Sequence, residues 1–133
     1  MSMTDPISDL LTWIRNAHLA KHDRLDVPLS RLKLEVCRIL KEEGFIKNYR
    51  EVDTAGPSRS VRIFLRYSAE GEPAINNVER ISKPGRRVYR RAGEIQPVRN
   101  GLGVGIVSTS QGLLTDAQAR ERRIGGEILC ELW

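Results

Sequence analysis

The chain has 133 residues, 40% apolar and 29% charged, with a formal net charge of +5 and a pI near 9.6. That length suits one domain or two small ones, and the apolar share supports a packed core rather than wholesale disorder. The modest basic excess favours a polyanionic partner, no apolar run is long enough to span a bilayer, and Met1 to Pro6 lack the basic-then-apolar pattern of a secretory signal, so a cytosolic protein is expected.

Asp5 and Pro6 predict a helix start, an acceptor for free N–H groups followed by a residue suited to the first helical position. Ile7, Leu10, Leu11, Ile14 and Ala17 then recur at helical spacing. Trp13 falls off the centre of that stripe, and Arg15 and Asn16 point away from it. A short strand is expected near Leu25 to Val27. A second helix should follow Pro28, capped by Ser30, burying Leu29, Leu32, Val36, Ile39 and Leu40, and stopped by Gly44 in the left-handed conformation. Phe45 to Val52 reads as a strand, Asp53 to Arg59 as a turn containing Gly56-Pro57, and Val61, Ile63, Leu65 and Tyr67 as one face of a further strand. The fold class is therefore α+β: a two-helix, three-strand unit over residues 1–67. Residues 68–74 have linker composition, and residues 75–133 should form a smaller, mostly antiparallel β unit with one short helix.

In that second unit, Ile75 to Ile81 and Arg86 to Arg90 are expected strands on either side of a Lys83-Pro84-Gly85 turn. Glu94 to Val98, with Pro97, is expected as a helical turn or loop. Val104 to Ser108 has the β-branched content of a central strand, and Leu113-Leu114 forms a short one. Thr115 to Gln118 fits a capping box that opens a helix of about two turns, with Gly125-Gly126 expected to stop it. Ile128, Cys130 and Leu132 alternate with Glu127, Leu129 and Glu131 in a last strand. Cys37 and Cys130 lie far apart in apolar patterns and read as small buried hydrophobes in a reducing compartment.

Three segments of the C-terminal third carry chemistry. Lys83, Arg86, Arg87, Arg90 and Arg91 form a basic run with no acid among them and Tyr89 inside it. Cations neutralise phosphates, and a ring between them offers an unpaired base a stacking platform. The bland alternative is a solvated strand with a core tyrosine. Ser108, Thr109, Ser110 and Gly112 combine hydroxyls that donate and accept with a glycine that lets another backbone approach, although the composition is also that of an ordinary β-turn. Gly125, Gly126 and Glu127 could equally be a helix stop. As an acid in an anion-binding region, Glu127 suits orienting hydroxyls or arginines, or accepting from a base amino group. His18 and His22 have the i, i+4 spacing of zinc ligands but no third ligand in view, and Gly101-Leu102-Gly103-Val104-Gly105 has the wrong spacing for a dinucleotide loop. No catalytic residue, metal or cofactor is expected.

Asp5-Pro6-Ile7, Asp9 to Thr12, Ile14 to Ala17, Leu40 to Ile46, Ser82 to Tyr89, Asn100 to Gly103, Ser108 to Ser110, Gly112, Thr115-Asp116, Ala119-Arg120, Gly125 to Glu127, Leu129-Cys130 and Trp133 occur in an order that resembles a known family. It is that of the eighth protein of the small ribosomal subunit in its bacterial form. The resemblance implies an α/β N-terminal domain and a mostly β C-terminal domain. It also implies a structural, non-enzymatic role in binding the central domain of the small-subunit ribosomal RNA during platform assembly. By motif, it implies RNA contacts at Tyr89, Ser108, Thr109, Ser110, Gly112 and Gly125 to Glu127, supported by Lys83, Arg86 and Arg87. A secondary contact would fall on Thr4, Asp5, Arg15 and Asn16. Trp13 departs from the family, standing where a basic residue is usual. The implied partners are neighbouring ribosomal proteins (the fifth and twelfth of the small subunit) and, in an alternative role as translational repressor, a messenger RNA that mimics the ribosomal site.

Overall fold

The computed structural model of the protein describes residues 5–54 and 56–133. They form two compact units, Pro6–Ile75 and Asn76–Trp133, the second joined by Asp5. The architecture is α+β, with three α-helices and eight strands in two antiparallel sheets among the described residues.

The first unit contains α1 (Pro6–Leu19), β1 (Arg24–Pro28), α2 (Arg31–Glu42), β2 (Ile46–Asp53) and β3 (Arg59–Leu65). The sheet order is β1-β3-β2. The helices bury Leu10, Leu11 and Ile14 of α1 and Val36, Cys37 and Leu40 of α2, and the sheet buries Val27, Val61, Ile63 and Leu65. Ser30 caps α2 by accepting from the Lys33 N–H at 3.2 Å. Gly44 takes φ +81° just after α2, where the Phe45 N–H reaches back to the Leu40 carbonyl at 2.8 Å. The buried stripe of α2 is offset from the expected one. Leu32 is exposed and Leu29 only half-buried, whereas Lys33 is buried, its ammonium held by the Pro28 carbonyl at 3.0 Å. A lysine stem can fill apolar space while its head finds an acceptor. Tyr67 lies outside β3. It pairs with Pro73 across a hydrogen-bonded turn in which the Ser68 N–H meets the Glu72 carbonyl at 2.8 Å.

The second unit is built around β8 (Gly126–Leu132), its longest strand. One edge of β8 pairs with β4 (Val78–Arg80) and β5 (Tyr89–Arg90) in turn, and the other with β6 (Val104–Thr109), which pairs with β7 (Gly112–Thr115). α3 (Asp116–Arg122) packs Ala119 against Val107, Ile128 and Ile95. Its capping box is complete: the Thr115 hydroxyl accepts from the Gln118 N–H and the Gln118 side-chain oxygen from the Thr115 N–H, both at 3.1 Å.

Two expectations need correction. The strands expected over Ile75 to Ile81 and Arg86 to Arg90 shrink to β4 and β5. Lys83 and Arg86 close a tight turn through two backbone bonds, and the Asn76 and Asn77 N–H groups go to the Trp133 carbonyl. The segment Glu94 to Val98 is, as expected, a loop, and it runs between two short 3-10 turns, Ala92–Glu94 and Val98–Gly101. The glycine pair does not stop α3. Arg123 does, in the left-handed conformation at φ 58°.

Candidate nucleic-acid interface

What Gly125 and Gly126 provide is close approach. A Cβ on Gly126 would lie 2.2 Å from the Ser108 carbonyl oxygen, and one on Gly125 would lie 2.5 Å from that of Arg90. Only residues without a side chain let β5 and β6 close on β8 here.

That closure places Glu127 between two of the singled-out segments. Its cross-strand partners are Tyr89 on β5 and Ser108 on β6. Directly paired residues in an antiparallel sheet project to the same side, so Tyr89, Glu127 and Ser108 form one row. The Tyr89 ring is 66% exposed, which answers the core-tyrosine alternative: the ring is free to stack.

Glu127 is held from behind. The fully buried Ser82 hydroxyl donates to Glu127 Oε2 and accepts from the Val88 N–H at 3.2 Å, and Arg87 donates to the same carboxylate oxygen at 3.1 Å. Burial disfavours the charge, but the Ser82 hydroxyl and the Arg87 guanidinium outweigh it and hold the carboxyl below its ordinary value. Glu127 is therefore a fixed acceptor beside an exposed ring. Ser82 heads one of the singled-out stretches but is not among the candidates; its burial and its bonds to Glu127 and Val88 reveal the role.

The hairpin joining β6 to β7 turns at Ser110-Gln111. The Thr109 hydroxyl is used within it, donating to the Gly112 carbonyl at 2.8 Å and accepting from the Gln111 N–H at 3.0 Å. Gly112 takes φ +95°, a left-handed position that favours glycine. Ser110 is exposed at the tip and Ser108 half-buried at its base. Lys83, Arg86, Arg90 and Arg91 are exposed, and their side chains form no ion pair among the described residues, although the Arg91 N–H donates to Glu94 Oε1 at 3.2 Å. Nine of the eleven principal candidates thus lie in or beside the β5-β8-β6 row or its hairpin; Lys83 and Arg86 sit together on the adjoining Pro84-Gly85 turn.

The secondary candidates are not gathered in the same way. Arg15 and Asn16 are exposed on α1 in the first unit. Asp5 groups with the second unit, its carboxylate paired with Arg80 at 3.1 Å. Thr4 lies outside the described residues. The buried Lys33 ammonium sits 5.4 Å from the centre of the Trp13 ring, a cation–π contact that ties the indole to α2. His18 and His22 do not share a helix face. α1 ends at Leu19, His18 is buried and His22 exposed beyond the turn at Lys21. Among the described residues no three metal-binding side chains gather. Burial pushes both thiols, Cys37 and Cys130, up to about 12 and leaves them inert packing groups.

Comparison with known proteins agrees over the whole chain. The family model for ribosomal protein S8 matches residues 5–133. The small ribosomal subunit protein uS8 of Rubrobacter xylanophilus is 52% identical over 130 residues, 98% of each chain. Its counterparts in Clostridioides difficile and Geotalea uraniireducens are 52% and 51% identical over 133 residues, the full length of both chains in each case. The chain belongs to the ribosomal protein S8 family, the non-enzymatic structural proteins of the small ribosomal subunit.

Proposed function

We propose that the protein works in the cytoplasmic ribosome as a primary RNA-binding component, gripping the central domain of the small-subunit ribosomal RNA through its second unit, residues 75–133. The observation that carries this reading is the row Tyr89, Glu127, Ser108, with an exposed ring, a fixed carboxylate acceptor and a hydroxyl in register across three strands. The ring stacks on a splayed base, Glu127 and the hydroxyls of Ser108 and Ser110 read polar edges, and Lys83, Arg86 and Arg87 meet the backbone. The α1 surface at Arg15 and Asn16 gives a weaker second contact, with the fifth and twelfth small-subunit proteins as neighbours in the assembled particle. The same row would take a messenger RNA that presents the same shape, which is how a repressor role would arise.

The test is binding of a central-domain ribosomal RNA fragment and a scrambled fragment of equal length across a salt series. Preference for the central-domain fragment, lost in Tyr89→Ala, is expected. Equal affinity for both fragments in the folded wild type would overturn the reading.

A further inference from the structure

We propose that Arg122 and Arg123, at the end of α3, form a second phosphate-binding patch that carries the RNA backbone around the tip of the β6–β7 hairpin. The proposal rests on the reading of the Tyr89-Glu127-Ser108 row as an RNA interface.

Ala119 is fully buried against the sheet, so α3 is anchored along one side while Arg122 and Arg123 are exposed. Arg122 does not wave freely. Its guanidinium donates to the Gln111 side-chain oxygen at 3.1 Å, which fixes the cation at the turn between Ser110 and Gly112. That bond is to a neutral amide and uses one of five donors, so the charge stays uncompensated and the remaining donors stay free. Arg123 follows directly, in the left-handed residue that ends the helix. Two residues on, Gly125 lies flush against the backbone of Arg90 and Arg91, so the basic run that starts beside Tyr89 meets the chain leaving α3.

The acids nearby do not cancel this charge. Asp116 is committed to Arg120 at 2.7 Å and to the Gly105 N–H at 3.0 Å. Glu121 precedes Arg122 on the helix, where adjacent residues do not face each other. Cations in a last helical turn also suit the helix dipole, but that role is indifferent to RNA and needs no tether to a hairpin tip. A backbone that leaves the row past Ser110 meets Arg122 next, then Arg123.

The experiment compares the wild type with the double variant Arg122→Gln/Arg123→Gln in the full chain, on the central-domain fragment and the scrambled fragment, across a salt series. Two lost phosphate contacts should flatten the slope of log affinity against log salt by about 1.4–1.8 in total, at roughly 0.7–0.9 per contact. Affinity should fall by the same factor for both RNAs, leaving their ratio unchanged. An Arg31→Gln control, on α2 of the first unit, should keep the wild-type slope. Circular dichroism melting confirms that each variant is folded. A wild-type slope in the folded double variant overturns the patch, and does so on the scrambled RNA even if the fragment preference fails. Conversely, a wild type that prefers neither RNA removes the reading of the row while the slope still decides the patch.

Discussion

Tyr89 stands directly opposite Glu127 across the β5–β8 pair, the ring exposed and the carboxylate half-buried. The pairing joins two segments some forty positions apart in the chain, and it depends on the glycine pair before Glu127, Gly125 admitting the backbone at Arg90 and Gly126 that at Ser108. The ring offers an apolar face and the carboxylate a fixed acceptor within one cross-strand spacing of about 4.5–5.5 Å. A stacked base can then be tested for its edge as well as its face.

Tyr89→Ala removes the stacking face without disturbing a core, because the ring packs against solvent. The loss should be about 1–3 kcal/mol of RNA affinity, or roughly 5- to 150-fold, with little change in thermal stability. Filter binding to the central-domain fragment reads the first quantity and a melting curve the second. Full affinity in a folded variant would show that the ring is no platform.

Ser82→Ala should act on both stability and reading. It leaves the Val88 N–H and one side of Glu127 without their shared partner in a fully buried place. An unmet buried hydrogen bond costs about 1–3 kcal/mol, measurable as a shift in the urea midpoint. Because the Ser82 hydroxyl helps hold the Glu127 carboxyl low, its removal should also raise that pKa, read by NMR on the Glu127 side chain. A Glu127 titration unchanged in Ser82→Ala would mean that Arg87 alone fixes the carboxylate.

The pH dependence of Glu127 has a definite sign. Its folded pKa lies below the ordinary 4.5, so the unfolded chain takes up a proton first. The stabilising contribution is present above 4.5 and is lost as pH falls through the lower, folded value. Glu127→Gln should therefore unfold with a shallower dependence on pH in that acid window than the wild type. Identical acid-unfolding profiles would contradict the hydrogen-bonded carboxylate described here.

Much of this was legible from residue pattern alone. Ser30, Gly44 and the Thr115–Gln118 box act locally, through bonds within one turn of chain, and the structure has them where the sequence placed them. Val61, Ile63 and Leu65 alternate, and alternation fixes a strand face. What pattern could not show is anything set by partners distant in sequence. Lys33 is buried with its ammonium on the Pro28 carbonyl, while Leu32 faces outward. The brevity of β5 comes from the tight Lys83–Arg86 turn and from how little of β8 lies beside it. Ser82 had no assigned role beside the Lys83-Pro84-Gly85 turn, and its contact with Glu127 spans 45 positions.

The glycines should separate by geometry rather than by residue type. Gly126→Ala would force a Cβ to 2.2 Å from the Ser108 carbonyl, a backbone atom that cannot rotate away. Overpacking of this kind costs typically about 1–3 kcal/mol and occasionally more, and here it should also weaken RNA binding by spreading β6 from β8. Gly93→Ala meets nothing within 4 Å and should stay within roughly 0.5 kcal/mol of the wild type. Urea unfolding of the two variants side by side reads the contrast. Equal stabilities would mean that close strand approach is not why a glycine stands at 126.

His18 gives a last expectation, in the first unit and independent of RNA. Its ring is 3% exposed and meets the Tyr67 ring edge-on at 5.3 Å, with neither nitrogen in a well-formed hydrogen bond. Burial lowers its pKa below 6.5; the nearby Arg66 carbonyl offsets this in part, and the charge of Lys21 adds to it. The folded state therefore keeps the imidazole neutral while the unfolded chain protonates at its ordinary value. The sign follows from the proton count: below 6.5 the unfolded state binds more protons, so stability falls as pH drops from 6.5 through the folded pKa and is flat above. His18→Leu keeps an apolar side chain in the same pocket and has no proton to bind, so its urea midpoint should lose that slope. NMR titration of the wild type should find His18 titrating below 6.5. A value at or above 6.5 would mean that the ring finds a hydrogen-bond partner in solution and that its burial does not control its charge.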